Sequence, residues 1–394
     1  MVAGETVQSG VPAIPVGARL VHIGPHKTGT TAVQGALHRA RKELPNYGTT
    51  VAHKEQHPMR AVLGLTGEPG MKGVGRQDPI EWERLVADVE AAQTDRVVIS
   101  SEFFADADDT AIKQAVADLG GPAVHVAVTL RPLARILPSQ WQQYVQNDLT
   151  VDYESWLDII FNRQARVHSS RRFWLRHHHG QLVERWAAAV GPDRLTVIVT
   201  DESDHDMLLQ AFEDLLALPR GVLRRRPDQA NRSLTWDEVE LVRRCNEVFA
   251  ARKLPPGAYH TYFRLGAVRS MKTGRKPGPD EPAIVTPGWA LDRASELGAE
   301  AARRVGKLGV RVVGALDRLA ERPADSEPPV ESNPALAQAA AEAIVGAIDA
   351  AVHKQPSLRL VSPVEETPAK ELVRVLIRRV SRRIARRFRA WRRR

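Results

Sequence analysis

The stretch HIGPHKTGTT, residues 22–31, decides the fold of this chain. The apolar run Arg19–Ile23 leads into it and predicts a β-strand, whereas residues 32–41 show helical periodicity. A strand, a glycine-containing loop and a helix in this order present backbone amides and a helix N-terminus to an anion. The sequence therefore predicts a loop that binds phosphate or sulfate at the end of a buried strand.

The lysine of this loop is displaced relative to that of nucleoside triphosphatases. Gly24 and Gly29 match the glycine spacing of the pattern G-x-x-x-x-G-K-[ST], but Thr30 follows Gly29 and the lysine, Lys27, precedes it. The adjacent lysine and magnesium-binding hydroxyl of that pattern are therefore missing. We expect the loop to hold an anion without a metal ion.

Three further strand patterns surround this element. They are Arg96–Ser100, Ala123–Leu130 and Leu195–Val199, and helical patterns over residues 80–92 and 181–190 precede the first and the last of them. Strands separated by helices predict an α/β fold with a parallel β-sheet sandwiched by helices. In such sheets ligands bind beyond the carboxyl ends of the strands. Functional residues are therefore expected directly after the strands.

The loop PHKTGTT is similar to the 5′-phosphosulfate-binding loop of sulfotransferases that use 3′-phosphoadenosine 5′-phosphosulfate (PAPS), whose pattern is approximately P-K-[ST]-G-[ST]-T. Here His26 lies between Pro25 and Lys27, a departure that is common among bacterial members. The resemblance covers about residues 18–270 and implies a P-loop kinase-like fold, with PAPS as co-substrate and no metal.

A second motif strengthens the resemblance. The family binds the donor's 3′-phosphate with an arginine at a strand end and a serine about eight residues on, which correspond to Arg131 and Ser139 here. An arginine can bind a phosphate through two parallel hydrogen bonds. A weaker match, around Asn231 and Ser233, resembles the segment that closes over the nucleotide, although a plain helix cap would look the same.

The resemblance also implies roles for the loop residues. Lys27 would stabilise the charge that builds on the bridging oxygen as the sulfur–oxygen bond breaks. Thr30 and Thr31 would bind the 5′-phosphate, together with the backbone amides of Thr28 and Gly29. In-line transfer of this kind needs neither a metal nor a covalent intermediate.

Two residues are the main candidates for the general base. Glu102 follows the second predicted strand and ranks first, although it could also be a helix-capping acid. His57 ranks second, ahead of His53 and His26. The consecutive histidines 177–179 point in different directions on a helix, which argues against a metal site, and we expect them at the surface near the acceptor.

These observations predict a sulfotransferase that acts on a hydroxyl of a carbohydrate, glycolipid or metabolite. One alternative is a nucleotide-dependent kinase of the same fold, which the displaced lysine disfavours. The other is a non-catalytic nucleotide-binding protein associated with a membrane or with nucleic acid.

The net charge of +9 belongs to the end of the chain. Residues 370–394 hold twelve Lys or Arg and one acid, which leaves 44 basic and 46 acidic side chains elsewhere. The body is therefore not expected to bind nucleic acid. In residues 371–394 apolar side chains recur every three or four positions, which predicts a basic amphipathic helix that can contact an anionic membrane. Docking on the chain's own body, nucleic acid and an acidic partner are the alternatives.

We expect four segments along the chain: a flexible N-terminus (1–17), the sulfotransferase-like domain (18–270), a helical extension with proline-rich linkers (271–368) and the basic helix (369–394). Cys245 is the single cysteine, no signal peptide is recognisable, and no uninterrupted apolar run approaches the roughly 18 residues of a membrane span. A cytoplasmic protein, peripheral at the inner membrane face, is expected.

Overall fold

The computed structural model describes residues 11–67, 78–163, 168–204, 206–225, 232–327 and 333–354. Among them, six strands form one parallel sheet in the order β2-β3-β1-β4-β5-β6. The strands are β1 (Arg19–Ile23), β2 (Thr49–Val51), β3 (Arg96–Ser100), β4 (Val124–Leu130), β5 (Leu195–Val199) and β6 (Arg311–Val313). The predicted α/β fold with a parallel sheet is confirmed.

Helices cover the sheet and extend beyond it. In the first half they are α1 (Thr30–Ala40), α2 (Met59–Thr66), α3 (Pro79–Glu90), α4 (Asp109–Asp118), α5 (Leu133–Val145), α6 (Tyr153–Asn162), α7 (His168–His177) and α8 (His179–Val190). In the second half they are α9 (Met207–Leu215), α10 (Trp236–Ala251), α11 (Pro256–Ala258), α12 (Arg269–Gly274), α13 (Gly288–Gly306) and α14 (Pro334–Lys354). A π-helical segment, Tyr259–Val268, links α11 to α12.

Both faces of the sheet are buried, as alternating side chains of β1 show. Val21 and Ile23 belong to one apolar cluster, which includes Trp186 of α8. Leu20 points to the other face and belongs to a second cluster with Phe212 of α9. Parallel strands buried on both faces read as continuous apolar runs, which is why the four longer strands were recognisable in the sequence.

The structure departs from the sequence prediction at the sheet edges. Strands β2 and β6 were not predicted, since each is only three residues long. Within the region expected to be a helical extension, α13 ends at Gly306, and the chain then adds β6 beside β5. Residues beyond position 270 thus contribute a strand to the sheet and, through Ala301 and Val305 of α13, part of its apolar cover.

By length and composition alone, helix α14 qualifies as a membrane span, which was not expected from the sequence. The window Pro334–Val352 has a mean hydropathy of 1.5, and 17% of it is buried. Its many alanines raise the hydropathy although Gln and acidic residues interrupt it. In the structure Ala341 and Val345 are buried in a cluster with residues of α10, and Arg252 forms ion pairs with Glu342 and Asp349. The predicted basic helix, residues 371–394, lies outside the described residues.

Candidate functional site

The loop between β1 and α1 depends on its two glycines. Gly29 is the N-cap of α1 and has φ 92°, a left-handed conformation that glycine adopts without strain. A Cβ atom at Gly29 would lie 2.6 Å from Leu208 Cδ2, and one at Gly24 would lie 2.1 Å from Thr30 Cγ2. Lys27 also has a positive φ, 72°. The loop is therefore tightly wound. Ala32 is the first residue of α1 whose amide bonds to the preceding turn, at 3.0 Å from the Gly29 carbonyl oxygen, so the amides of Thr30 and Thr31 can face a ligand.

A chain of buried polar groups supports the loop from below. Thr28 donates its hydroxyl to the Pro25 carbonyl oxygen at 2.8 Å, and its Oγ1 lies 2.8 Å from Oγ1 of Thr129. His22 links Thr129 to Ser100, with distances of 3.3 Å from Nε2 and 2.7 Å from Nδ1. Burial lowers the pKa of His22 to about 3, so the ring is neutral. The Thr28 side chain therefore supports the loop, while its amide is the group that can face an anion.

The charge of Lys27 is affected by burial and by several charged groups around the loop. Its pKa is lowered to about 8, chiefly by burial, then by the positive charge of Lys272 in α12. The Arg131 charge lowers this pKa further, whereas Glu102 raises it. Lys27 thus lies within electrostatic range of three groups that come from three different parts of the chain, and an anion on the loop would relieve its repulsion.

Arg131 leaves the end of β4, the neighbour of β1, and reaches the loop. Its Nη1 donates to the carbonyl oxygen of Lys27 at 3.3 Å. Its Nε donates to Glu202 Oε1 at 3.0 Å, and Nη2 bonds to the same oxygen. Arg135, one turn into α5, has its Nε 4.0 Å from Glu202 Oε2. Arg131 therefore lies beside Lys27 and holds the carboxylate of Glu202.

Two cavities meet at Arg131 and Glu202. The first, called the loop cavity, measures about 410 Å³ and is lined by Lys27, Thr28, Gly29, Arg131 and Glu202, among others. The second, called the serine cavity, measures about 360 Å³, and its lining includes Arg131, Arg135, Ser139, Glu202 and Ser233. The structure thus brings Ser139 and Ser233 to one cavity with Arg131. Asn231 lies outside the described residues.

A third cavity, called the histidine cavity, lies on another flank of the α1 N-terminus. It measures about 840 Å³, and its lining includes Thr31, Gln34, His53, His57 and Glu102. Glu102 accepts a hydrogen bond of 2.8 Å from Gln34 Nε2. Nδ1 of His57 is buried and has no hydrogen-bond partner among the described residues. Both predicted bases therefore line one cavity, whose wall also contains Thr31 of the loop.

The threonines of the loop face in different directions. Thr30 is buried, with its methyl group close to Gly24, so its amide and hydroxyl remain as its polar groups at the helix start. Thr31 is exposed and lines the histidine cavity. From the sequence, Thr30 and Thr31 are both expected to bind the 5′-phosphate. In the structure Thr31 lies between the loop and the histidine cavity.

The other histidines lie deeper than the sequence suggested. Burial lowers the pKa of His53 to about 4, and its Nδ1 lies 2.8 Å from the Glu55 carbonyl oxygen. Burial, followed by the charge of Arg176, holds the pKa of His26 well below its usual value. Both rings are neutral at pH 7.

The expectation of a surface position for residues 177–179 is wrong for two of them. His177 and His179 are buried, because α7 ends and α8 begins at this point and turns both rings inward beside α13. In the part of the chain that the structure describes, no three His, Cys, Asp or Glu side chains converge as metal ligands would.

Four residues of the site were missed in the sequence. Thr129 lies two residues before Arg131, and its position near the strand end could have suggested a role. Glu202 follows β5 as Glu102 follows β3, so the rule that ligands bind after strands could have found it. Gln34 and Lys272 carry no sequence signal, since their proximity to the loop depends on how α1 and α12 pack.

Comparisons with known proteins give one distant likeness. No family model matches the chain, and no curated protein matches it. Among solved structures, a sulfotransferase from Alicyclobacillus acidocaldarius is similar at 15% sequence identity and a TM-score of 0.40. The likeness covers 66% of this chain and 97% of that one.

Proposed function

We propose that this protein is a sulfotransferase that uses PAPS as the sulfuryl donor. The observation that carries the proposal is the contact of two anion-binding elements, because Arg131 after β4 bonds to Lys27 O in the loop after β1. Both side chains line the loop cavity, and Arg131 extends the site to Ser139. Two phosphate-binding elements side by side fit a nucleotide with anionic groups at both its 5′ and 3′ positions.

The loop would hold the 5′-phosphosulfate through the amides of residues 28–31 and the Lys27 ammonium. As the acceptor oxygen attacks sulfur, the bond from sulfur to the bridging oxygen breaks, and 3′-phosphoadenosine 5′-phosphate (PAP) leaves. Lys27 would stabilise the negative charge on that bridging oxygen. The acceptor's proton would pass to a base on the opposite side, in the histidine cavity.

Glu102 is the base that the geometry favours. Gln34 donates a hydrogen bond of 2.8 Å to its carboxylate, and its negative charge opposes the lowering of the Lys27 pKa. His57 lines the same cavity and is the second choice. Two groups on opposite sides of the loop, a cation for the leaving group and a base for the acceptor, suit an in-line transfer.

The histidine cavity also suggests the acceptor. Its lining carries charged side chains of both signs, among them Lys54, Glu55, Arg60 and Asp88, together with the apolar side chains of Pro58, Met59, Ala61 and Leu85. Such a wall favours a polar molecule with several hydroxyl groups, which can exchange hydrogen bonds with both kinds of charge. We therefore propose a carbohydrate, a glycolipid head group or a polar metabolite.

Transfer from labelled donor tests this function. PAPS labelled in its sulfuryl group is incubated with cell extracts or a panel of sugars, and labelled products are separated and counted. The wild type should label a hydroxyl-bearing compound, and Lys27→Ala should abolish the transfer. Equal labelling by Lys27→Ala would contradict the proposed role of Lys27, and phosphate transfer from ATP in place of sulfuryl transfer would identify a kinase.

We also propose that residues 371–394 contact an anionic membrane. The support is the sequence pattern, in which each basic residue near such a surface contributes about 1 kcal/mol. Liposome flotation with a chain ending at Pro368 is the test, because flotation equal to that of the full chain would exclude this contact.

A further inference from the structure

Glu202 takes the position of an anion at the junction of the two nucleotide-side cavities. It comes shortly after β5, and its carboxylate lines both the loop cavity and the serine cavity. One oxygen, Oε1, accepts from Nε and Nη2 of Arg131, and the other lies 4.0 Å from Nε of Arg135. A carboxylate therefore engages both arginines of the serine cavity.

A phosphate would need the same arginine edge. A guanidinium offers two paired N–H edges that fit carboxylate and phosphate oxygens alike. One of these edges, Nε with Nη2, is directed at Glu202, and Nη1 donates to the loop carbonyl of Lys27. A phosphate that takes two parallel bonds from Arg131 at the Nε edge therefore has to displace the carboxylate.

This displacement is easy. The side chain of Arg131 is 27% exposed and that of Glu202 is 50% exposed, so water can solvate both groups once they separate. Ion pairs at this exposure contribute little, because their attraction is screened and their side chains lose entropy. The pair can thus exchange for a phosphate, which carries more negative charge than a carboxylate.

We propose that Glu202 competes with the nucleotide's 3′-phosphate for Arg131, and so weakens nucleotide binding and speeds nucleotide release. This rests on the proposed function, since it assigns the 3′-phosphate to Arg131. Donor and product both carry the 3′-phosphate, so the competition acts on both. Its consequence is greatest for the product, which has lost the sulfuryl group and must leave before the next donor binds.

Titration calorimetry and stopped-flow dissociation of PAP test the competition. Glu202→Gln keeps the side chain's shape and removes its charge, and it should tighten PAP binding by about threefold to tenfold, with slower dissociation. Binding of 5′-AMP, which lacks the 3′-phosphate, should not change. Asp206→Asn is the matched control, because Asp206 is exposed on the same segment, outside both cavities.

Each other outcome is decisive. Unchanged PAP binding by Glu202→Gln would overturn the competition. Weaker PAP binding would also overturn it and would assign Glu202 to holding Arg131 in place. Equal tightening of 5′-AMP, or equal tightening by Asp206→Asn, would replace it by a general effect of charge. A wild-type protein that binds no PAP would instead overturn the proposed function, and the competition with it.

Discussion

The alkaline limit of nucleotide binding should be set by Lys27. Burial disfavours the charged amine and Lys272 repels it, which together with Arg131 lowers the pKa of Lys27 to about 8. At a pKa of about 8, roughly nine tenths of the amine is charged at pH 7 and roughly one tenth at pH 9. If the charged form is the one that binds the anion, PAP affinity should be about tenfold lower at pH 9 than at pH 7.

Lys27→Arg is the control variant for this pH dependence. A guanidinium stays protonated throughout this range, so the ratio of the two affinities should be close to one, whatever the larger side chain does to affinity itself. Titration calorimetry of PAP at pH 7, 8 and 9, at constant ionic strength, measures that ratio. A wild-type affinity that is the same at pH 7 and pH 9 would refute the reasoning, as would an equal drop in Lys27→Arg.

Three further predictions concern the base, acid stability and a helix cap. In steady-state kinetics, Glu102→Gln should lower kcat by about 10²- to 10⁴-fold with PAP affinity retained, whereas His57→Gln should keep most activity. A larger loss of kcat in His57→Gln than in Glu102→Gln would make His57 the base. Burial holds the pKa of His22 near 3, below the 6.5 of an unfolded chain, so its contribution to stability is complete above pH 6.5 and is lost as the pH falls toward 3. Between pH 4 and pH 6, His22 should make the unfolding free energy rise by about 1.4 kcal/mol per pH unit. Urea unfolding of His22→Gln should show a slope smaller by this amount. An unchanged slope would contradict this prediction. Thr235 and Glu238 form a capping box at the start of α10, so Thr235→Ala should cost about 1 kcal/mol in the same assay, with Thr235→Ser close to wild type as the control.

The sequence predicted the sheet's interior better than its edges. Strands β1, β3, β4 and β5 were recognisable because they are buried on both faces and therefore mostly apolar, with a few polar residues such as His22 and Thr129. The edge strands have three residues each, too few for any periodicity. Residues 307–321 belong to the region expected to be helical, but Gly309 and Gly314 disfavour a helix there, and the three-residue strand between them is defined by its pairing with β5.

The site shows the same division between local and long-range information. Lys27, Arg131 and Ser139 were found because each lies in a short motif next to a strand. The contact of Glu202 with Arg131 joins positions 71 residues apart, and the influence of Lys272 on Lys27 depends on the packing of α12. Buried histidines such as His179 were misplaced because polar residues are expected at the surface, and only tertiary packing turns them inward.

Thermal unfolding with PAP tests the central claim most directly. At one hundred times its dissociation constant, a ligand stabilises the folded state by about 2.7 kcal/mol. PAP should therefore raise the Tm of the wild type by several degrees, Arg131→Ala should lose most of this increase, and ATP with magnesium should have no effect. An increase with ATP and magnesium, without one from PAP, would contradict the assignment of this site to a 3′-phosphorylated sulfuryl donor.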